Sequence, residues 1–183
     1  MSNFNFIKTD LQDVFLIEPR VFGDDRGFFM ETYNQKAFEE YGLKLNFVQD
    51  NHSKSGKNVL RGLHFQKQHP QGKLIRVVSG NVLDVAVDLR KSSPTYQKWA
   101  KFELSEENKK MLWVPKGFAH GFLTLSDDVE FLYKCTDLYY PEDEGGIIWN
   151  DPDLNIDWGI ENPTLSDKDA NWPKLKDIEF LFK

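Results

Sequence analysis

The chain has 183 residues, of which 23 are Lys or Arg and 29 are Asp or Glu, so its formal net charge at pH 7 is −6. Hydrophobic residues make up 40% of the chain and aromatic residues 14%, which is typical of a folded globular protein and argues against disorder. The acidic balance argues against a nucleic-acid-binding protein, because such proteins usually carry a basic excess. We therefore expect a single mildly acidic domain over residues 1–183.

Cysteine content and the N-terminal residues bear on the compartment. Cys135 is the one cysteine of the sequence, so no intrachain disulfide can form and a reducing compartment is favoured. The chain does not begin with a basic stretch followed by an apolar core, as a secretory signal does. No apolar run reaches the ~20 residues that a membrane-spanning helix needs. These features predict a cytoplasmic protein that does not interact with membranes.

Short segments with a hydrophobic period of two dominate the first three quarters of the chain, and turn residues separate them. In chain order, the predicted elements are strands at residues 14–18 and 28–33, a helix at 34–42, and strands at 73–78, 81–89, 96–104, 110–114, 121–125 and 129–136. Many short strands at this spacing favour an antiparallel sandwich or barrel over alternating strands and helices.

The helix and the strand at residues 81–89 give the clearest local patterns. Asn34 can cap the helix, and Gly42 can end it. In residues 81–89, the leucines and valines at the odd positions share one face, whereas Asp84 and Asp88 lie on the other. This alternation predicts a strand that is buried on one face only.

From about residue 141 onward the strand pattern fades. Residues 142–169 contain nine acidic residues and one basic residue. We expect a barrel core over about residues 10–140 and a partly helical C-terminal extension over about 141–183. Three tryptophans, Trp149, Trp158 and Trp172, are expected to hold this extension on the barrel.

Two stretches place polar residues within apolar strands. Residues 114–122 contain Pro-x-Gly-x-x-His, which resembles the second half of the cupin signature and ends at His120. Residues 58–66 contain His64, but Phe65 and Gln66 stand where a metal-binding cupin needs further ligands. A site without a metal is therefore favoured, and a purely structural role for His120 remains an alternative.

The chemistry open to such a site is limited. The sequence contains neither a dinucleotide or P-loop spacing of glycines nor a Gly-x-Ser-x-Gly elbow. A histidine close to lysine, arginine and tyrosine suits proton transfer beside a carbonyl group, because imidazole accepts a proton near neutral pH and a cation stabilises the enolate.

Seven motifs follow one another between about residue 10 and residue 172. They are RVFGDDRGFFME at 20–31, FVQDNHS at 47–53, LRGLH at 60–64, QGKL at 71–74, PxGFAHGF at 115–122, FLYK at 131–134 and LSxKD at 165–169. In this order they resemble the dTDP-4-dehydrorhamnose 3,5-epimerase family. The resemblance covers nearly the whole chain.

The resemblance implies a mainly β, cupin-type jelly roll of antiparallel strands with a few short helices. It implies a homodimer in which the neighbouring subunit completes each site, with no metal and no coenzyme. The expected reaction inverts C3 and C5 of dTDP-4-dehydro-6-deoxy-D-glucose, giving dTDP-4-dehydro-L-rhamnose for dTDP-L-rhamnose biosynthesis. Both carbons lie next to the keto group, so removal of either proton gives an enolate.

The resemblance also assigns roles to residues. His64 is the expected base, oriented by Asp169, while Tyr133 is the acid on the opposite face and Lys73 stabilises the oxyanion. The substrate-binding residues it implies are Arg26, Glu31, Gln49, Asp50, Asn51, Arg61, Lys73, His120, Glu144 and Lys168. Among them, Arg26 and Arg61 are expected to hold the diphosphate. The aromatic partner of thymine stays open among Phe28, Phe29 and Tyr139.

Simpler roles compete for several of these residues. Tyr133 can anchor the core through its ring, Asp169 can cap a helix that begins at Ser166, and Lys73 can protect an edge strand. Arg61 and His64 are three apart and fall on opposite faces of an ideal strand. Either a bulge at Gly62 brings them together, or Arg61 reaches the diphosphate from the end of the strand.

Three other functions are weighed against double epimerisation. The nearest is a relative that inverts only one carbon. A second is a non-catalytic cupin that only binds a nucleotide sugar, although it would not need a base, an acid and a cation together. A third, a metal-dependent dioxygenase, lacks ligands at Phe65 and Gln66.

Overall fold

The computed structural model describes residues 2–178 and residue 182. Within them, short strands alternate with few helices, and no helix is long and apolar enough to cross a membrane. The strands are β1 (Phe4–Lys8), β2 (Phe15–Pro19), β3 (Val21–Asp24), β4 (Gly27–Met30), β5 (Gln49–Ser55), β6 (Leu60–Gln66), β7 (Lys73–Ser79), β8 (Asn81–Asp88), β9 (Trp99–Ser105), β10 (Met111–Val114), β11 (Phe118–Thr124), β12 (Val129–Cys135) and β13 (Glu144–Gly146). The helices are α1 (Gln35–Glu40), α2 (Asp167–Ala170) and two 3₁₀ turns, Pro141–Asp143 and Leu175–Asp177.

The strands form two facing antiparallel sheets and one separate hairpin. The six-stranded sheet has the order β1-β2-β10-β7-β12-β5, and the five-stranded sheet has the order β13-β6-β11-β8-β9. Among the described residues, strands β3 and β4 pair only with each other. The predicted fold class, a mainly β cupin-type barrel with a few short helices, is confirmed.

The core between the sheets is built from side chains of both. Phe122 on β11 stacks on Phe131 of β12, with ring centroids 4.0 Å apart, and both rings are buried. Ile75 and Val82 extend this cluster from β7 and β8. Because burying one such side chain stabilises a fold by about 1.5–3 kcal/mol, this contact across the sheets is a main source of stability.

Strand β8 departs from its prediction. Asp84 and Asp88 are fully buried, and so are Val85 and Val87 on the other face. The expectation of a strand buried on one face was wrong, because the C-terminal extension covers the outer face through residues such as Ile147. Asp84 and Asp88 were expected to be interior hydrogen-bonding or rim residues, and both are hydrogen-bonded in the interior, Asp84 to His120 and Asp88 to Thr95.

Helix α1 follows its prediction closely. The Oδ1 atom of Asn34 accepts a hydrogen bond from the Ala37 amide at 3.2 Å, as an N-cap does. Phe38 is fully buried and packs edge-on against Phe4 and Tyr33. The predicted strands are also found, with ends shifted by a few residues, whereas β1, β3, β5 and β13 were not predicted.

The C-terminal extension packs on the five-stranded sheet. Trp158 is buried, and its indole N–H donates to the Trp149 carbonyl at 2.8 Å. Trp172 lies against Gly146, where a Cβ atom would come within 2.4 Å of the indole ring. The indole thus occupies the space that a side chain at position 146 would need.

A bulge interrupts the pairing of β6 with β11. His120 pairs with His64, but Phe122 pairs with Arg61, so two residues of β6 lie opposite Gly121 alone. Gly62 has a φ of +120°, and a Cβ there would lie 2.6 Å from the Gly121 Cα. The predicted bulge at Gly62 is confirmed, and it places Arg61 and His64 on the same cavity.

Replacing Gly62 with alanine is expected to lower the free energy of unfolding by about 2–4 kcal/mol. The new Cβ would strain the backbone at a positive φ and would clash with backbone atoms of β11, which cannot move aside as a side chain can. Denaturant unfolding followed by circular dichroism measures the loss. Gly42→Ala is the matched control, because Gly42 has a φ of +99° and open space around its Cβ position. Equal losses in the two variants would contradict the close approach of β6 and β11.

Candidate active site

A cavity of about 330 Å³ opens between the two sheets. Side chains of β6 and β11 line it from the five-stranded sheet, and side chains of β5, β7 and β12 line it from the six-stranded sheet. The predicted site residues on its walls are Gln49, Asn51, Arg61, His64, Lys73, His120, Tyr133, Glu144 and Lys168. The fold therefore gathers most of the set from widely separated parts of the chain.

His64 is held by a carboxylate from the C-terminal extension. Its Nε2 atom hydrogen-bonds to Oδ1 of Asp169, which is nearly fully buried. Ser166 Oγ donates to Asp169 Oδ2 at 2.9 Å, and the Trp172 indole N–H donates to Oδ1 at 3.3 Å. Although burial alone would raise the pKa of Asp169, the hydrogen bonds from His64, Ser166 and Trp172 hold it below its ordinary value. The carboxylate stays charged next to the imidazole.

Asp169 also belongs to the helix start that competed with this role. Ser166 is the N-cap of α2 and accepts from the Asp169 amide at 3.1 Å. The two readings of Asp169 are compatible, because its backbone joins the cap while its side chain reaches His64. The helix start thus fixes the direction of the carboxylate.

Tyr133 and Lys73 face the cavity from the six-stranded sheet. The Lys73 Nζ atom lies 5.8 Å from the centre of the Tyr133 ring. Burial lowers the pKa of Lys73 and raises the pKa of Tyr133 to about 12. Strand β7 lies between β10 and β12, so the edge-strand role considered for Lys73 is wrong. At neutral pH the cavity therefore holds a protonated phenol beside a lysine.

His120 pairs with a carboxylate inside the barrel. Its Nε2 atom lies 2.9 Å and 3.0 Å from the two carboxylate oxygens of Asp84, and both residues are buried. Burial lowers the pKa of His120, and this outweighs the opposite effect of Asp84. His120 is thus a satisfied interior histidine that also lines the cavity, so its two proposed roles are compatible.

At the mouth of the cavity, three polar side chains are linked by hydrogen bonds. Lys168 Nζ donates to Glu144 at 2.8 Å, and the Tyr139 hydroxyl donates to the same carboxylate at 3.1 Å. On the other side, the Arg61 guanidinium donates to Ser55 Oγ at 3.1 Å. A cation and an aromatic ring therefore stand at the entrance.

Four of the predicted residues do not line this cavity within one chain: Asp169, which contacts His64 from the C-terminal extension, and Arg26, Glu31 and Asp50. Arg26, whose side chain is 90% exposed, pairs with Asp24 at the tip of the β3–β4 hairpin. Glu31 accepts from Asn3 at 2.9 Å, and Asp50 pairs with Lys134 on the outer face of the six-stranded sheet. Asp50 lies on the opposite face of β5 from its neighbours because side chains alternate along a strand.

The structure also separates the aromatic candidates and adds residues. Tyr139 lines the cavity, whereas Phe28 and Phe29 are 60% and 67% exposed on the hairpin. Sequence reasoning missed the contact of Trp172 with Asp169, although their spacing of three residues next to a predicted helix start was a usable signal. It also missed Gln71, which lines the cavity beside Lys73.

No cluster of three His, Cys, Asp or Glu side chains suited to a metal ion occurs in the described ranges, 2–178 and 182. Imidazole, phenol and ammonium groups instead converge on one cavity of a cupin-type barrel. A cupin-type barrel that gathers proton-carrying groups on one cavity suits an isomerase. The family model for dTDP-4-dehydrorhamnose 3,5-epimerase matches residues 8–177, and the chain belongs to this family.

Individual relatives agree with this assignment. The dTDP-4-dehydrorhamnose 3,5-epimerase of Shigella flexneri is 58% identical over 179 residues, which is 97% of this chain and 99% of the relative. A Legionella pneumophila enzyme solved with dTDP-4-keto-L-rhamnose superposes with a TM-score of 0.93 at 51% identity, covering 96% of this chain and 95% of that one. A 3'-monoepimerase from Streptomyces bikiniensis superposes with a TM-score of 0.86 at 32% identity, covering 92% of this chain and 86% of that one. The protein is an epimerase.

The Tyr133 phenol is expected to stay protonated at pH 7–9 and to titrate near pH 12, since burial disfavours the phenolate. Carbon-13 NMR of tyrosines labelled at Cζ measures this titration. The Tyr133→Phe variant assigns the signal by its disappearance. A midpoint at or below the ordinary value of 10.0 would contradict the buried environment of the ring.

Proposed function

We propose that this epimerase inverts both C3 and C5 of dTDP-4-dehydro-6-deoxy-D-glucose to give dTDP-4-dehydro-L-rhamnose, without a metal or coenzyme. The observation that carries the proposal is that His64 and Tyr133 face one cavity from opposite sheets, with Lys73 beside them. Inversion needs a proton acceptor on one side of the sugar and a donor on the other. A cytoplasmic location belongs to the proposal and is supported by the single cysteine, Cys135.

In this mechanism His64 removes the proton from the carbon next to the keto group. The Asp169 carboxylate holds the ring and stabilises the imidazolium that forms, as carboxylates do in other catalytic pairs. The negative charge then moves to the C4 oxygen, where the Lys73 ammonium stabilises the enolate. One such preorganised donor is worth roughly 3–4 kcal/mol of transition-state stabilisation.

Tyr133 returns a proton from the opposite side. Its pKa of about 12 keeps the phenol protonated at neutral pH, so a donor is present when the enolate forms. The lysine beside the ring stabilises the phenolate left after the transfer. The same pair of groups can act on C3 and C5 in turn, because both carbons share one enolisable keto group.

The mouth of the cavity suits the nucleotide. Arg61 and Lys168 provide cations for a diphosphate, and guanidinium matches phosphate oxygens well. Tyr139 is the aromatic partner that we propose for thymine, because it alone of the three candidates lines the cavity of its own chain.

Metal independence is supported by the donor set. His64 and His120 each hydrogen-bond to a carboxylate of their own, Asp169 and Asp84. Gln66 stands where a further metal ligand would be needed, and its amide is engaged by the backbone. Two imidazoles are too few for a transition-metal site, and no cluster of three His, Cys, Asp or Glu side chains occurs in the described part of the chain.

We further propose a homodimer in which the β3–β4 hairpin completes the partner's site. The hairpin exposes four large apolar side chains, Val21, Phe22, Phe28 and Phe29, and carries Arg26 into solvent. Exposed apolar patches of this kind mark interaction surfaces. A hairpin that enters a second copy would bring the missing diphosphate ligand to a cavity that one chain leaves open.

The reaction in deuterium oxide tests the double inversion. Wild-type protein is expected to place deuterium at both C3 and C5 of the sugar, as read by proton NMR, since each inversion exchanges one carbon-bound proton. Label at a single carbon would contradict the proposal and favour a one-carbon epimerase, the activity named for the Streptomyces bikiniensis relative.

Two variants separate the base from the acid in the same assay. His64→Asn is expected to lose both exchange and inversion by about 10²–10⁴-fold, the usual contribution of a general base. In Tyr133→Phe the base remains, so exchange continues while inversion falls by about 10²-fold or more. Near-normal exchange in His64→Asn would show that another group is the base.

Mixed dimers test the shared site. Arg26→Ala and His64→Asn subunits are each expected to be nearly inactive alone. In a random mixture half of the dimers are heterodimers with one intact site of two, so about one quarter of all sites regain activity. If the mixture shows only the average of the two separate activities, Arg26 does not act across subunits.

A further inference from the structure

Gln66 is an unusually well-connected buried side chain beside the active site. It lies two residues after His64 on β6, so both side chains fall on the same strand face. Its side chain is 4% exposed. The Nε2 atom donates to the His69 carbonyl at 2.7 Å and to the Leu138 carbonyl at 3.0 Å, and Oε1 accepts from the Tyr140 amide at 2.8 Å.

Two of these three bonds end on either side of Tyr139. Gln66 binds the carbonyl before it and the amide after it, while the Tyr139 amide itself donates to Oε1 of Gln49 at 2.9 Å. Two glutamine amides therefore fix the backbone at three consecutive residues. The direction of the Tyr139 ring follows from this backbone.

The same segment carries the rest of the cavity mouth. The Tyr139 hydroxyl donates to Glu144, which also accepts from Lys168. The segment is joined to the loop after β6 a second time, because the Asp143 carboxylate accepts from the amides of Gln68 and His69 at 2.9 Å and 2.8 Å. Displacement of the backbone at Tyr139 would therefore disturb the whole nucleotide end of the cavity.

We propose that Gln66 is a positioning residue for the nucleoside end of the substrate, and that it acts by holding Tyr139 and, through it, Glu144 and Lys168. The inference rests on the proposed placement of thymine against Tyr139. In a metal-binding cupin this position carries a metal ligand. Here Gln66 hydrogen-bonds to the backbone of the Tyr139 segment. It does not touch the reacting carbons, so its effect falls on substrate affinity.

Glutamine suits this position because it offers two N–H donors and one acceptor from a single neutral group. An ionised glutamate of the same shape offers no donor, so two buried carbonyls would lose their partner and face a negative charge. A protonated glutamate regains one donor. The variant Gln66→Glu therefore changes the hydrogen bonds with little change in volume.

The test is the binding of thymidine diphosphate to Gln66→Glu by titration calorimetry, together with steady-state kinetics on the nucleotide sugar. We expect Kd and KM to rise about tenfold at pH 8, with kcat within about twofold of wild type, since binding is lost equally in the ground state and the transition state. At pH 5.5 the affinity is expected to recover in part, because a buried carboxyl group binds a proton readily. Gln97→Glu, at an exposed position, adds the same charge and serves as the control.

A double-mutant cycle with Tyr139→Leu shows whether Gln66 acts through the ring. Non-additive losses of thymidine diphosphate affinity are expected, because Tyr139→Leu removes the ring that Gln66→Glu would misplace. Additive losses, or wild-type affinity in Gln66→Glu, would overturn the proposal. Double epimerisation is judged separately by deuterium exchange in the wild-type protein, so each idea can fail alone.

Amide hydrogen exchange of the wild-type protein tests the hydrogen bonds of this segment without any substitution, so the result does not depend on whether a variant folds. The amides of Tyr139 and Tyr140 are expected to exchange about 100-fold more slowly than an unbonded loop amide. Exchange of the Tyr140 amide at the rate of an open loop would mean that Gln66 does not hold this segment, and the proposal would fail.

Discussion

The close approach of two glycines, Gly62 on β6 and Gly121 on β11, sets the geometry of the active site. A Cβ atom at Gly121 would lie 2.6 Å from the Arg61 carbonyl, and a Cβ at Gly62 would meet the backbone of β11 just as closely. Without side chains here, the strands can accommodate one extra residue and keep their pairing on both sides. That extra residue turns Arg61 and His64 toward one cavity and sets His64 opposite His120 in the ladder. Arg61, His64 and His120 thus share one backbone constraint.

The remaining organisation follows from the cost of burying charge. Each buried ionisable group of the five-stranded wall has a fixed partner, as in the pairs His64–Asp169 and His120–Asp84. For Lys73 and Tyr133, burial instead shifts the pKa so that the neutral form is favoured: the pKa of Lys73 is lowered and that of Tyr133 is raised. A net charge of −6 is compatible with an anionic substrate because cations concentrate at the cavity while most carboxylates lie elsewhere.

Local rules predicted much of the architecture and most of the cavity wall. The cap at Asn34, the alternation in the strands and the turn residues between them are nearest-neighbour effects, and these elements were found. Family resemblance then supplied His64, Lys73 and Tyr133, which the barrel brings together. The burial of both faces of β8 was missed because its cover, the C-terminal extension, lies far along the chain. The sequence could not choose among Tyr139, Phe28 and Phe29 as the aromatic partner of thymine, since all three are aromatic residues near turns. In the structure, Tyr139 is the one of the three that lines the cavity of its own chain.

The burial of the outer face of β8 also bears on how the molecule opens. Val85 and Val87 belong to one apolar cluster with Ile147 and Trp158 of the extension, which also carries α2 and Asp169. Detaching the extension would expose this entire apolar cluster, so such an opening costs a large part of the global free energy of unfolding. The Asp169 carboxylate, which hydrogen-bonds to His64, is therefore carried by a part of the chain that resists local unfolding.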